Sequence, residues 1–356
     1  MKRKVRREAE KTSLRKLLGI AVLATALLAA ACGGDGGSDE PSDSAGGQTA
    51  AEEEPVRVAF FGTELNEFLA VIMDGAKSAV EEAGGTMQIF DSEFDPAKQF
   101  SQVQDAIAAD RFDAFIIAPW DGPGLVPVVE EAEAAGIPVV SVNSPIGTKI
   151  TELEPQVEGV VAAVQESVTG IGGQYAELFA GACGDLDPCK VAYVSGALGT
   201  TLEEILIGSM TEALEEYPNI ELLEPVDGGG YQQQGAYEAV QDVLSANPDV
   251  DVVGSSGDQM ALGSELAAEE AGLDNVKVWG AGASCIGIKA VQEGRFYGTT
   301  LRVPFTDGEL AGEFAVAAAR GEDHPTYAAG TEASDQPTPI TKDNLDPSFE
   351  CQWQGA

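Results

Sequence analysis

The side chains that could do chemistry here are few and widely spaced. His324 is the only histidine, and it sits in GEDHPTY, a stretch that reads as a surface turn. Bond-making chemistry needs a nucleophile with a base, a carboxylate pair or a metal cluster. The sequence points to none of these, and neither G-x-x-x-x-G-K-[ST] nor G-x-S-x-G occurs, so an enzyme is possible but unsupported. No catalytic residue, metal ligand or cofactor is therefore assigned. The turns GTELNE and GALGTT could cradle an anion at a helix N-terminus, but they lack G-x-G-x-x-G spacing. What remains is the chemistry of recognition. A cleft for a small polar molecule needs aromatic faces and hydrogen-bonding side chains on loops. Trp120 and Asp121 in APWDG suit that, a Trp at a loop tip after an apolar run serving better as a cleft face than as core. Asp258 in SSGDQM suits it too, although it equally suits capping a helix that begins at Gln259.

Such loops need strands ahead of them. Val56–Phe61 is a short apolar run ending in Gly62, which suits a buried parallel strand. Leu69, Ile72, Met73, Ala76 and Val80 recur at helical spacing, and Gly84-Gly85 stops the helix. Met87–Phe90, Ala114–Ala118 and Ile137–Val142 read as further strands, with amphipathic helices between them. Ligands of open parallel sheets bind beyond the carboxyl ends of the strands. Thr63–Phe68, Asp91–Phe94 and Pro119–Gly122 occupy those places. Pro145–Val160 carries few signals and is expected to hold a crossing into a second lobe, followed by a helix over Val164–Ala180 interrupted at Gly170, Gly172 and Gly173. From Lys190 the opening pattern returns. QDVLSANPDVDVVGSS matches QDAIAADRFDAFIIAP about 137 residues earlier. A period this long means two lobes rather than a solenoid. The fold class is α/β, with two similar Rossmann-like lobes, parallel sheets and a hinge that can close on ligand.

The run FFGTELNEFLAVIMDGAKSAVEEAGG followed by DPAKQFSQVQDAIAADRFDAFIIAPWDG resembles the ribose-type (type I) periplasmic substrate-binding proteins of ABC importers. The likeness continues through GIPVVSVNS, YPNIELLEPVDGGG, NPDVDVVGSSGDQMALG and KAVQEGRFYGTTL, from about Val56 to about Ala319. It implies that Asn66 and Phe68 contact ligand, although they also suit a helix N-cap and a core staple. Asn143 falls where the family has a sugar-binding Asp, and Ser144 where it often has Arg. Glu204 falls where an Arg clasps the ligand, and Tyr231 on an aromatic position that packs on the sugar ring. Gly282 replaces an Asp, and Arg302 a Gln. Arg302 suits a bidentate bond to a carboxylate or to vicinal acceptors, or a hinge salt bridge. The resemblance also implies a recrossing near Arg302–Thr306. The lobes would then be 55–156 with 304–325, and 157–303 with 326–345, before a tail at 346–356.

The first segment stands apart. Eight basic residues between Lys2 and Lys16 precede an apolar stretch, Leu17 to Ala31, which runs into Cys32. This is the pattern of a secretory signal, 1–31, with Cys32 at the position of a lipidated cysteine. Leu28 lies four residues ahead of it rather than the usual three. Residues 32–54 are polar, acidic and low in complexity, a disordered tether. The net charge is −39; two acidic and eight basic residues precede Cys32, leaving 57 acidic against 12 basic afterwards. Such a body is a poor partner for nucleic acid. Its acidity also suits a saline habitat, where screening relieves self-repulsion.

Four cysteines remain, allowing three fully paired connectivities. Cys183 and Cys189 lie close together, which leaves Cys285 and Cys351 for each other, and an oxidising compartment favours disulfides over thiol or zinc chemistry. The sequence thus reads as a monomeric, lipid-anchored extracytoplasmic protein that binds a small polar solute, a sugar or sugar derivative, for an ABC permease. A receptor for a sensor kinase or chemoreceptor, or an extracytoplasmic enzyme, are the alternatives.

Overall fold

The computed structural model describes residues 54–63 and 67–355, which fall in one compact unit running from Glu53 to Ala356. The signal segment, Cys32, most of the tether and Asn66 lie outside the described residues.

The first sheet contains β1 (Arg57–Gly62), β2 (Thr86–Asp91), β3 (Ala114–Ile117), β4 (Val139–Val142), β5 (Val160–Val164) and β12 (Tyr327–Ala328), in the order β12-β5-β4-β3-β1-β2. All its pairings are parallel. Parallel strands covered by helices on both faces must be apolar on both. In β1, Val58, Ala59, Phe60 and Phe61 are all fully buried, with Phe60 in one core layer and Phe61 in the other. The connecting helices are α1 (Glu67–Glu82), α2 (Pro96–Ala109) and α3 (Val126–Ala134). α2 starts where the Asp95 carboxylate accepts from the N–H groups of Ala97 and Lys98, with Pro96 in its first turn.

The second sheet runs β13-β11-β10-β9-β6-β7, with β8 beside β6. Its strands are β6 (Cys189–Ser195), β7 (Ile220–Leu222), β8 (Val226–Asp227), β9 (Val252–Ser255), β10 (Lys277–Ala281), β11 (Phe296–Thr300) and β13 (Ile340–Thr341). Only the short β13 pairs antiparallel. The helices around it are α4 (Val168–Cys183), α5 (Thr201–Leu214), α6 (Gln233–Ala246), α7 (Asp258–Glu270) and α8 (Cys285–Glu293). With the two-residue β8 set aside, and counting from each lobe's first strand, both sheets share the order 2-1-3-4-5, so the sequence repeat is a repeat of topology. α9 (Pro304–Arg320) returns to the first lobe and packs along α1. The approach is close: a Cβ on Gly308 would stand 2.0 Å from the Ile72 carbonyl. A short turn, α10 (Gly330–Ala333), follows β12.

Two features differ from the sequence reading. Val160–Val164 is a strand, and α4 begins only at Val168, capped by the Ser167 hydroxyl accepting from Gly170 N. The glycines of α4 do not interrupt it; Gly172 instead lets it lie against α5, since a Cβ there would meet Ser209 Oγ at 2.0 Å. β5 and β12 both pair into the first sheet, so that sheet reaches Val164 and, on the return, Ala328. The residues just past 156 and 325 thus hydrogen-bond with the first lobe. Cys183 is bonded to Cys189, and Cys285 to Cys351.

Candidate functional site

The loops after the strands of both sheets converge where the chain passes between them. Asn143 and Ser144 follow β4, and Glu166 follows β5. From the second sheet, Tyr231 follows β8 and Ser256 follows β9, while Arg302 follows β11 at the crossing into α9. These six side chains line a single cavity of about 110 Å³.

Local backbone places two of them. Asn143 has φ +67° and Tyr231 φ +60°, a region that costs a bulky residue roughly 1–3 kcal/mol and persists only where the surroundings enforce it. At Tyr231 they do: its N–H donates to the Gly196 carbonyl at 3.0 Å, and its hydroxyl donates to Glu203 Oε1 at 2.7 Å. Glu203 is fully buried and also accepts from Tyr193 Oη and Gly196 N, each at 3.1 Å. Burial raises the Tyr231 hydroxyl well above its ordinary pKa, and the Glu203 carboxylate adds to the shift. Tyr175, which also borders the cavity, is raised mainly by burial as well. Both phenols are therefore neutral donors at any working pH.

Arg302 joins the two sides. Its Nη2 donates to Asn143 Oδ1 at 3.1 Å, and its guanidinium lies 5.0 Å from the centre of the Phe68 ring. Its Nε is buried with no acceptor among the described residues. In the first turn of α9, Asp307 is almost wholly buried and accepts from Gly330 N at 2.9 Å. Burial lifts its carboxyl to about 7, against the pull of Arg302.

Of the residues singled out from sequence, Asn143, Ser144, Tyr231 and Arg302 thus meet at one cavity, and Phe68 borders it through Arg302. Others lie elsewhere. Glu204 is exposed; one residue along a helix is a turn of about 100°, so its neighbour Glu203 is the carboxylate that reaches inward. Trp120 is 54% exposed and packs against Phe94 at 4.6 Å, outside the cavity lining, and Asp121 is exposed beside it. Asp258 is fully buried but does not cap α7, whose N-cap is Gly257. Its carboxylate accepts from Ser284 N, Ser284 Oγ and Thr299 Oγ1 at 2.7–2.8 Å, tying α7 to α8 and β11. Sequence reasoning missed Glu203, Glu166, Tyr175 and Ser256. Glu203 had a signal, since it stands three and seven residues before the buried Leu206 and Met210. Among the described residues, no group of three or more His, Cys, Asp or Glu could hold a metal ion, and no helix is long and apolar enough to cross a membrane.

Two parallel α/β lobes, crossed at a hinge and sharing a cavity between their strand-end loops, define the bilobal solute-binding class. The chain belongs to the periplasmic binding protein domain family, whose model matches residues 58–323. It is 28% identical over 310 residues to the xylitol-binding protein of Mycolicibacterium smegmatis, covering 85% of this chain and 82% of that one. To the ribose import binding protein RbsB of Escherichia coli it is 27% identical over 260 residues, covering 72% of this chain and 82% of that one. Among solved structures it is similar to an ABC transporter solute-binding protein from Mycobacterium smegmatis with bound glycerol. The TM-score there is 0.67 and the identity 28%, over 78% of this chain and 92% of that one.

Proposed function

We propose that this protein captures a sugar or polyol in the cavity between its lobes and presents it to an ABC permease. The observation that carries the reading is the meeting of Asn143, Tyr231 and Arg302, from loops of both sheets and the crossing between them, at one cavity. Hydroxyl-rich solutes both donate and accept. Asn143, Ser256 and Arg302 offer donors, Glu166 offers an acceptor, and the Tyr231 ring offers a flat apolar face to a carbon skeleton. The Arg302 Nε, without an acceptor among the described residues, is a group that a solute oxygen would satisfy. Xylitol, ribose and glycerol, named for the relatives, fit this chemistry. Ligand contacts from both lobes favour the closed form, which the permease recognises. The first lobe is taken as 55–156 with 304–325, extended by the strands at 160–164 and 327–328.

The N-terminal 31 residues serve in this reading as a secretory signal, and Cys32 carries the lipid that holds the acidic body at the outer face of the membrane. Isothermal titration against xylitol, D-ribose and other polyols and sugars tests the ligand class. Micromolar or tighter binding to one of them is expected, and binding to none, with a folded protein, overturns it. Cys32→Ser tests the anchor: release of the protein from the membrane fraction is expected, and retention contradicts it.

A further inference from the structure

The C-terminal tail reaches both lobes. Cys351 is bonded to Cys285 at the start of α8. The Trp353 carbonyl accepts from Cys285 N at 2.8 Å and the Gln354 carbonyl from Ile286 N at 3.2 Å. These bonds fix the tail to the second lobe. The same few residues also hold the first. Gln354 N and Gly355 N donate to the two carboxylate oxygens of Glu67, the first residue of α1, at 2.9 and 3.0 Å. Gln352 accepts from Thr306 N at 3.2 Å and donates to Thr306 Oγ1 at 2.8 Å, at the start of α9.

Between these two grips lies Trp353, 8% exposed. Its indole N–H donates to the Gly282 carbonyl at 2.8 Å, and its ring meets Phe68 edge-to-face at 5.4 Å. Phe68 in turn faces the Arg302 guanidinium. Gly282 makes the arrangement possible. It has φ +123°, and a Cβ there would stand 2.6 Å from the indole. The chain thus has a side chain from its own tail where position 282 has none.

We propose that the disulfide-held tail is a working part of the ligand cleft. Trp353 is a positioning residue that sets Phe68 and, through it, Arg302, and the tail amides on Glu67 clasp the first lobe and favour the closed form. The proposal rests on the reading that the interlobe cavity binds a solute. Because Cys351 is covalently tied to α8, separating α8 from α1 must break either the bonds to Glu67 or those that hold Trp353 and Gln354 to α8. Those bonds are charge-assisted, and hence stronger than neutral ones. A closed form favoured before ligand arrives raises apparent affinity.

The test uses the full chain with Trp353→Ala, Trp353→Phe and Glu67→Ala. Titration with xylitol and D-ribose is combined with amide hydrogen exchange on the protein without added ligand. Trp353→Ala and Glu67→Ala are expected to weaken binding about tenfold, with faster dissociation, while Trp353→Phe, which keeps a ring on Phe68, recovers most of it. Exchange should quicken in the tail and also at Asn143, Ser144, Gln165 and Glu166, which line the cavity. Quickening confined to 351–355, with affinity unchanged, would show a merely packed terminus and overturn the proposal. If Trp353→Ala does not fold, Glu67→Ala decides, because it removes the acceptors of the tail amides and leaves Trp353 in place. Should the wild type bind neither probe, the exchange pattern alone decides the clasp, and the wider panel of sugars and polyols decides the sugar reading.

Discussion

Glu203 and Asp258 occupy corresponding places in the second lobe, each in the first turn of the helix that follows an inner strand, and each is fully buried with three donors. They serve different ends. Glu203 takes the hydroxyl of Tyr231 and so fixes a ring in the wall of the cavity. Asp258 takes two donors from Ser284 and one from Thr299, all internal to the lobe, and fixes helices to a strand. A buried carboxylate is thus not in itself a site; what matters is whether the groups it holds face the cleft. Asp307 gives a third case. It has one backbone donor where the others have three, and its carboxyl sits at about 7.

The largest effect should come from the scaffold carboxylate. Asp258→Ala strands three buried donors and is expected to cost about 3–5 kcal/mol in urea unfolding, at about 1–3 kcal/mol for each unsatisfied donor, while affinity per folded molecule stays unchanged. A loss of affinity with stability intact would move Asp258 into the site.

The next effect is pH-dependent. The folded Asp307 carboxyl, at about 7, holds its proton above the ordinary carboxylate pKa of about 3.9. Its contribution to stability is therefore full below about pH 4 and is lost as pH rises to about 7. Asp307→Asn keeps an oxygen for Gly330 N and should remove that loss, on the order of 2–4 kcal/mol. Its advantage in melting temperature over the wild type should grow from pH 4.5 to 7 and then level off. A constant difference across that range would contradict the assignment.

The cavity wall comes third. Tyr231→Ala should weaken solute binding about 30-fold, or ~2 kcal/mol, because it removes the ring from the cavity wall. The smallest effect is selective: Arg302→Gln should cost acidic solutes about tenfold more than neutral ones in titrations, and equal losses would show that Arg302 holds no anion.

The fold was legible because hydrophobic runs, glycine stops and the repeat all agreed. β5 was not, because VVAAV is short and merges with the helix pattern after it. In the site, Asn143, Ser144, Tyr231 and Arg302 could be placed by family resemblance together with their positions after strands. Glu203 and Glu204 are adjacent and chemically identical, so choosing between them needed the phase of α5, which Leu206 and Met210 carried. Trp120 drew attention as an aromatic at a loop tip, yet Phe94 is its partner. Trp353 was out of reach, since its place depends on a tail path fixed by Cys285–Cys351 and on the missing side chain at Gly282.

The most direct test of the account is mass spectrometry of the small molecules released when natively purified protein is denatured. A neutral sugar or polyol, absent from the same preparation of Tyr231→Ala, is the predicted result. An acidic or aromatic solute, or a sugar retained equally by Tyr231→Ala, would contradict the assignment of the cavity as a sugar site.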